Sequence, residues 1–316
     1  MPLIALRATP PTPVPVGLPR KHIVWEAPSG DLIDLSDSAA GYVSIPGRSG
    51  FGVVPRENVY DQHLDGASMR AVRVLPRVVS LPIRIQGSTT DEYLSRLRRL
   101  QAAFRHPIDP ATGIRRPGKL RVLLPDGSAR ELRAYYNGGL DGTEDPLDDL
   151  ILKMQEFPEL EFLAVDPYWV GGVVNSPTWR TGAGTAWFGG PFPRMLSASQ
   201  VLGGVSVLVP GDAECYPVWT ITGPGSPVVR NETTGREWRF RDSAPLSAGQ
   251  TVTVDTRPDV LTVVDDQGDS LYSALDEWPD LWPLEPGVND LTVEMVGADT
   301  GSSIRFTAEI RWQAGW

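Results

Sequence analysis

The sequence predicts a mainly β protein of two domains carrying a single α-helix. Three observations lead there. At 316 residues the chain is long enough for two separate cores. Its second half is a succession of short alternating segments about ten residues apart, divided by Gly, Pro, Asn and Asp. Only one stretch, 89–104, combines helical periodicity with a cap. Apolar residues make up 41% and charged residues 22%, the balance of a folded rather than a disordered chain.

Residues 1–20 include Pro2, Pro10, Pro11, Pro13, Pro15 and Pro19 and read as an extended N-terminal arm, because proline fixes φ and lacks an amide proton. "HIVWEAPSGDLIDLSD" is a hairpin turning at Pro28–Gly30. In "MRAVRVLPRVVSLPIRIQG", Val72 and Val74 share one face while Val79, Leu81, Ile83 and Ile85 have the opposite parity. A bulge or bend is therefore expected at Leu75, Pro76 and Arg77.

In the helix, Thr89 and Glu92 have capping-box spacing, and Tyr93, Leu97, Leu100 and Phe104 form one stripe that should pack on a sheet. Arg96, Arg98 and Arg99 then read as a solvated basic face. "KLRVLLPDGSARELRAYYNGG" is a second hairpin, a strand pair flanks the acidic loop 141–149, and "ELEFLAVDPYW" closes a front domain of 21–170. Residues 171–210, rich in Gly, Pro and aromatics, read as a linker or excursion. Residues 211–316 then form a β-sandwich, whose strand "SIRFTAEIRW" alternates Ile304, Phe306, Ala308, Ile310 and Trp312 against polar neighbours. In "WPLEPGVNDLTVEM" the turn 286–289 launches a half-buried strand through Leu291, Val293 and Met295.

Charge is unevenly placed. Residues 1–160 hold 20 basic and 19 acidic groups, and residues 161–316 hold 9 and 20. The rear half is thus near −11, which disfavours nucleic acid and anionic membrane surfaces. Cys215 is the only cysteine, so neither an internal disulfide nor a Cys-rich zinc site is expected. No stretch approaches the roughly 20 apolar residues of a spanning helix, and the start lacks an export signal, so membrane insertion and export are not expected.

Motifs of catalysis are missing. His22, His63 and His106 are far apart and match no metal spacing, and neither "GRSGFG" nor the other Gly-rich stretches match a nucleophile elbow, P-loop or dinucleotide fingerprint. Carboxylates that could serve glycan hydrolysis are Asp265, Asp266, Asp269, Asp276, Glu277 and Asp280, but "DDQGD" reads better as a hairpin turn. The expectation is no enzyme, no cofactor and no metal. Nine of the ten tryptophans follow residue 168. Trp219, Trp238 and Trp312 lie in strands and belong to the core, while Trp187, Trp278 and Trp282 lie in loops and are candidate glycan or partner contacts. Trp282 reads first as the packing anchor of its loop.

Several stretches, in order, resemble the distal tail proteins of long-tailed, non-contractile phages. They are "GRSGFGVVP", "RVVSLPIRIQG" running into the capped helix, "LEFLAVDPYW" and the C-terminal segment from "DSLYSALDEWPDLWPLEPGVN" to "FTAEIRWQAGW". This resemblance implies an N-terminal ring-forming (belt) domain and a C-terminal galectin-like or carbohydrate-module-like sandwich. It implies a structural hub in the virion, assembled in the host cytoplasm as a homo-oligomeric, hexameric ring. The ring would join the tail tube and tape-measure proteins to tail-tip and receptor-binding proteins. Arg73, Arg77, Arg84, Arg98 and Arg99 are the candidate ring contacts. The alternative reading is a carbohydrate-binding adhesin that contacts a host cell-wall glycan.

Overall fold

The computed structural model describes residues 21–141, 155–180 and 199–316. The described chain divides into two compact units. A front unit runs to Gly171 and includes Trp312–Trp316; a rear unit is Gly172–Arg311.

The front unit contains β1 (His22–Glu26), β2 (Leu32–Asp34), β3 (Tyr42–Ser44), β4 (Arg56–His63), β5 (Gly66–Val74), β6 (Arg77–Gln86), helix α1 (Thr90–Ala103), β7 (Gly118–Leu123), β8 (Ala129–Gly138), β9 (Gln155–Glu156) and β10 (Glu159–Ala164). Strand β11 (Trp169–Asn175) carries the chain into the rear unit. Antiparallel pairing runs β3–β6–β10–β8 and continues β8–β7–β1–β2. The expected break at Leu75–Arg77 is present: β5 ends at Val74, β6 begins at Arg77, and the two strands lie in different sheets. The residues of the acidic loop after Asp141 lie outside the described residues. Strand β9, which follows that loop, pairs with β6, and the longer strands on either side of the loop, β8 and β10, pair with each other.

Helix α1 forms where its cap and stripe place it. The Thr89 hydroxyl accepts the Glu92 N–H at 3.2 Å, and the Glu92 carboxylate accepts the Ser88 N–H at 2.7 Å, so two otherwise orphan donors are satisfied. Tyr93, Leu100 and Phe104 are buried and Leu97 is half-buried. The helix end is fixed by Trp25, whose indole N–H donates to the Ala103 carbonyl at 3.0 Å, and by Phe104 stacking on Tyr136 at 4.2 Å.

The rear unit contains β12 (Trp179–Arg180), β13 (Ser199–Val209), β14 (Pro217–Thr222), β15 (Ser226–Asn231), β16 (Arg236–Arg239), β17 (Thr251–Asp255), β18 (Thr262–Asp265), β19 (Gly287–Val296) and β20 (Ser303–Trp312). Antiparallel strands β18–β17–β14–β20 form one sheet, with β12 on β20, and β13–β19–β15–β16 form another. Trp219 of β14 meets Trp238 of β16 edge-to-face at 5.7 Å, so the inner faces of the two sheets share a core. In β20, Ile304, Phe306, Ala308 and Ile310 are buried as the alternation requires, and Trp312 is half-buried.

Strand β13 lies inside the stretch expected to be a linker or excursion. It pairs with β19 along its length, from Ser199↔Val296 to Val209↔Gly287. Its alternation is hidden in the sequence because the register shifts between Val201 and Gly203.

The turn before β19 is closed by a buried asparagine. The Asn289 side chain accepts the Glu285 N–H at 3.0 Å and donates to the Glu285 carbonyl at 2.8 Å. Nearby, Cys215 and Leu284 exchange backbone hydrogen bonds of 2.9 and 2.8 Å. Burial pushes the Cys215 thiol up to about 11. Ellman's reagent should therefore find no reactive thiol in the native protein and one equivalent in denaturant; prompt native labelling would show that this corner of the rear unit is open.

Candidate functional site

Strands β4 and β5 form a separate two-stranded ribbon in which Val59 alone is half-buried and every other strand residue is exposed. Cross-strand partners lie on one face, which puts Arg56, Asn58, Tyr60 and Gln62 with Val74, Val72, Met69 and Ala67. The register shifts between Val59 and Tyr60, where Arg70 is the extra residue of β5. Without that bulge Met69 would fall on the face opposite Val72. The first face thus presents Tyr60 (53% exposed), Met69 (56%), Val72 (49%) and Val74 (39%). Leu64, at the turn, is 102% exposed.

The opposite face is polar and internally paired. Arg73 bridges to Glu57 and Arg70 to Asp61, each at 3.7 Å, and the His63 ring bonds the Ser68 hydroxyl at 2.9 Å. Such exposed pairs contribute at most about 1 kcal/mol each. Fully burying a Val, Met or Tyr side chain contributes about 1.5–3 kcal/mol, and about half of that remains to be gained at each of these half-covered positions. An isolated two-stranded hairpin is only marginally stable in water. The apolar face is therefore the surface on which a partner would gain most.

The candidate arginines fall in different places. Arg73 is exposed on the polar face of the ribbon, Arg98 is exposed on α1, and Arg84 is half-buried in β6. Arg99 makes a two-pronged contact to Asp31 at 2.8 and 3.1 Å, tying α1 to the β1–β2 hairpin. The hydrogen bond from Arg99 holds the Asp31 carboxyl below its ordinary value.

Arg77 cannot serve as a ring contact, because it is 1% exposed inside its own chain. Its guanidinium donates to the carbonyls of Pro167 (2.7 Å), Gly50 (2.5 Å), Gly52 (2.7 Å) and Gln313 (2.7 Å). Those carbonyls belong to the "GRSGFG" loop, the "DPYW" turn and the C-terminal segment, all in the front unit. Glycine is required at position 50, since φ is +80° and a Cβ would collide with the Val78 carbonyl. Burial lowers the Arg77 pKa from its ordinary value. The inward direction of Arg77 was readable, because it has the same parity in β6 as Val79, Leu81, Ile83 and Ile85.

Of the loop tryptophans, Trp187 lies outside the described residues, Trp282 is fully buried and Trp278 is 90% exposed. Trp282 meets Trp219 edge-to-face at 6.2 Å, so it belongs to the rear core. The loop carrying Trp278 is pinned on both sides. Asp276 accepts from Arg239 at 3.0 Å, and Asp280 takes two bonds from Arg236 at 2.7 and 2.6 Å.

Three of the six carboxylates weighed for hydrolysis have structural partners. Asp276 and Asp280 pair with these arginines, and Asp265 accepts the N–H groups of Gln267 (3.0 Å) and Asp269 (2.9 Å), as a hairpin turn would. Among the described residues no group of three His, Cys, Asp or Glu side chains could hold a metal, and no helix is long and apolar enough to cross a membrane. His22 pairs with Asp34 at 2.6 Å, and His106 accepts the Tyr136 N–H at 2.8 Å. Burial lowers the His106 pKa.

No family model matches the chain, and no curated protein matches it in sequence. Solved structures do. The chain is similar to the SPP1 Dit protein, described as a paradigm of the hub adsorption apparatus in phages infecting Gram-positive bacteria. That match has a TM-score of 0.59 and 14% identity, and it covers 91% of this chain and 98% of that one. The two therefore share a fold, and the sequence reading of a mainly β, distal-tail-like architecture stands. Weaker similarity, with TM-scores of 0.45 and 9% identity, extends to the phage P2 baseplate in its activated conformation with Ca and with Sr, over 92% and 91% of this chain and 98% and 97% of those chains.

Proposed function

We propose that this chain is a structural, non-enzymatic subunit of the tail tip of a long-tailed phage. Its copies form a closed ring between the end of the tail tube and the tip or receptor-binding proteins. The observation that carries this reading is the β4–β5 ribbon, one face of which is paired and polar while the other holds Tyr60, Met69, Val72 and Val74 uncovered. A neighbouring copy that covers this face with a different surface makes a heterologous contact, which generates a ring where the rotation between copies closes. The fold shared with a phage hub protein along nearly its full length supports the same reading. The front unit forms the ring, and the acidic rear unit faces outward. Tape-measure and tube proteins are partners in this account, and the site of action is the virion.

Light scattering tests it. Full-length protein should elute as an oligomer of defined mass, about six times the 34.4 kDa chain for a hexamer. Val72→Glu should elute as a monomer with an unchanged circular dichroism spectrum, because it places a charge on a face that the fold itself leaves in water. A wild-type protein that stays monomeric at all concentrations, or a Val72→Glu variant that assembles like wild type, would exclude the proposal.

A further inference from the structure

A cleft of about 390 Å³ opens in the front unit. Its apolar lining includes Ile23, Phe51, Val122 and the half-exposed Trp316, and two cations, Lys21 and Arg48, line it as well. Lys21 lies 4.8 Å from the centre of the Trp316 ring, and among the described residues neither cation makes an ion pair. No side-chain carboxylate lines the cleft. It is thus an apolar hollow with two cations in its wall, and its size falls within the roughly 300–1,000 Å³ of ligand-sized sites.

The rear unit carries an exposed aromatic beside an acidic residue, Trp278 and Glu277. Trp278 is 90% exposed, yet its loop is held by the Asp276–Arg239 and Asp280–Arg236 pairs and followed by the rigid Pro279. An aromatic ring held in water by a pinned loop loses little conformational freedom on binding, which is the property of an interface anchor. Directly before it, Glu277 makes no ion pair among the described residues.

We propose that the Glu277–Trp278–Pro279 apex of one copy inserts into the Lys21/Arg48 cleft of a neighbouring copy. The indole fills the apolar hollow and Glu277 meets the two cations. This contact rests on the oligomeric reading above and adds a second interface, separate from the ribbon. It fits the charge difference between the two halves of the chain, and complementary charge fixes register between copies.

The test uses full-length protein assembled from equal parts of unlabelled and 15N-labelled chains. Carbodiimide, a zero-length cross-linker, is applied and peptides are identified by mass spectrometry. A Lys21–Glu277 amide joining a labelled to an unlabelled peptide is expected. Its yield should fall about ten-fold in Trp278→Ala, as for the loss of an interface anchor. In Arg48→Glu the assembly should loosen, and Arg48→Glu with Glu277→Arg should restore it. An oligomer without this cross-link, or with it only inside single chains, overturns this contact and leaves the ring intact. A cell-wall glycan whose binding to the full chain is lost in Trp278→Ala, with no cross-link, would assign the tryptophan to sugar instead. A strictly monomeric protein overturns both proposals.

Discussion

Replacing Arg77 with alanine should destabilise the front unit by about 3–5 kcal/mol, as expected when several buried acceptors lose one shared donor. Four backbone carbonyls, those of Gly50, Gly52, Pro167 and Gln313, take their bonds from this one side chain. Each buried acceptor left without a donor costs about 1–3 kcal/mol, less where water enters the vacated space. Lysine should recover only part of the loss, since its single ammonium cannot reproduce a planar fork aimed at four carbonyls in separate segments. Urea unfolding followed by near-ultraviolet circular dichroism measures the effect. A loss below about 1 kcal/mol for Arg77→Ala would show that the three segments hold together without their shared donor.

Trp219→Ala should cost the rear unit about as much, roughly 3–5 kcal/mol for removal of a buried aromatic. Trp219 is fully buried and meets Trp238 at 5.7 Å, Trp282 at 6.2 Å, Trp179 at 6.4 Å and Phe306 at 4.7 Å. Four rings cannot collapse into the space of a fifth, so the cavity persists. Trp278→Ala is the control. Being exposed, it should leave stability within about 0.5 kcal/mol of wild type. If the two variants melted alike, the division between core and surface tryptophans would be wrong.

Much of the fold was legible because each element carried a local signal that agreed with its environment. The Thr89 cap and the Tyr93–Phe104 stripe define α1, and the strict alternation of β20 gave its buried face residue by residue. The parity change between Val74 and Val79 located the break between two strands of different sheets. Strand β13 was missed because a bulge and two glycines erase its period. The ribbon was seen only in part. Val72 and Val74 showed their shared face, but β4 contributes just Tyr60 to it, and a strand reading "RENVYDQH" has no apolar alternation to notice.

The binding candidates show the same limit. Position in a loop placed Trp278 and Trp282 in one class, yet the first is in water and the second fills the core. Residue type suggested Arg77 as a surface contact, while its parity in β6 pointed inward. Periodicity was the better guide in that strand because it reports burial directly, whereas an arginine serves equally at a surface or at a knot of carbonyls.

The central claim is that this chain is a ring subunit at the far end of a phage tail. Electron microscopy of virions that carry it, labelled with gold-conjugated antibody to the rear unit, tests the claim most directly. Gold is expected in several copies at the tail end away from the capsid. Labelling along the tail shaft, on the capsid, or on no virion structure would contradict it.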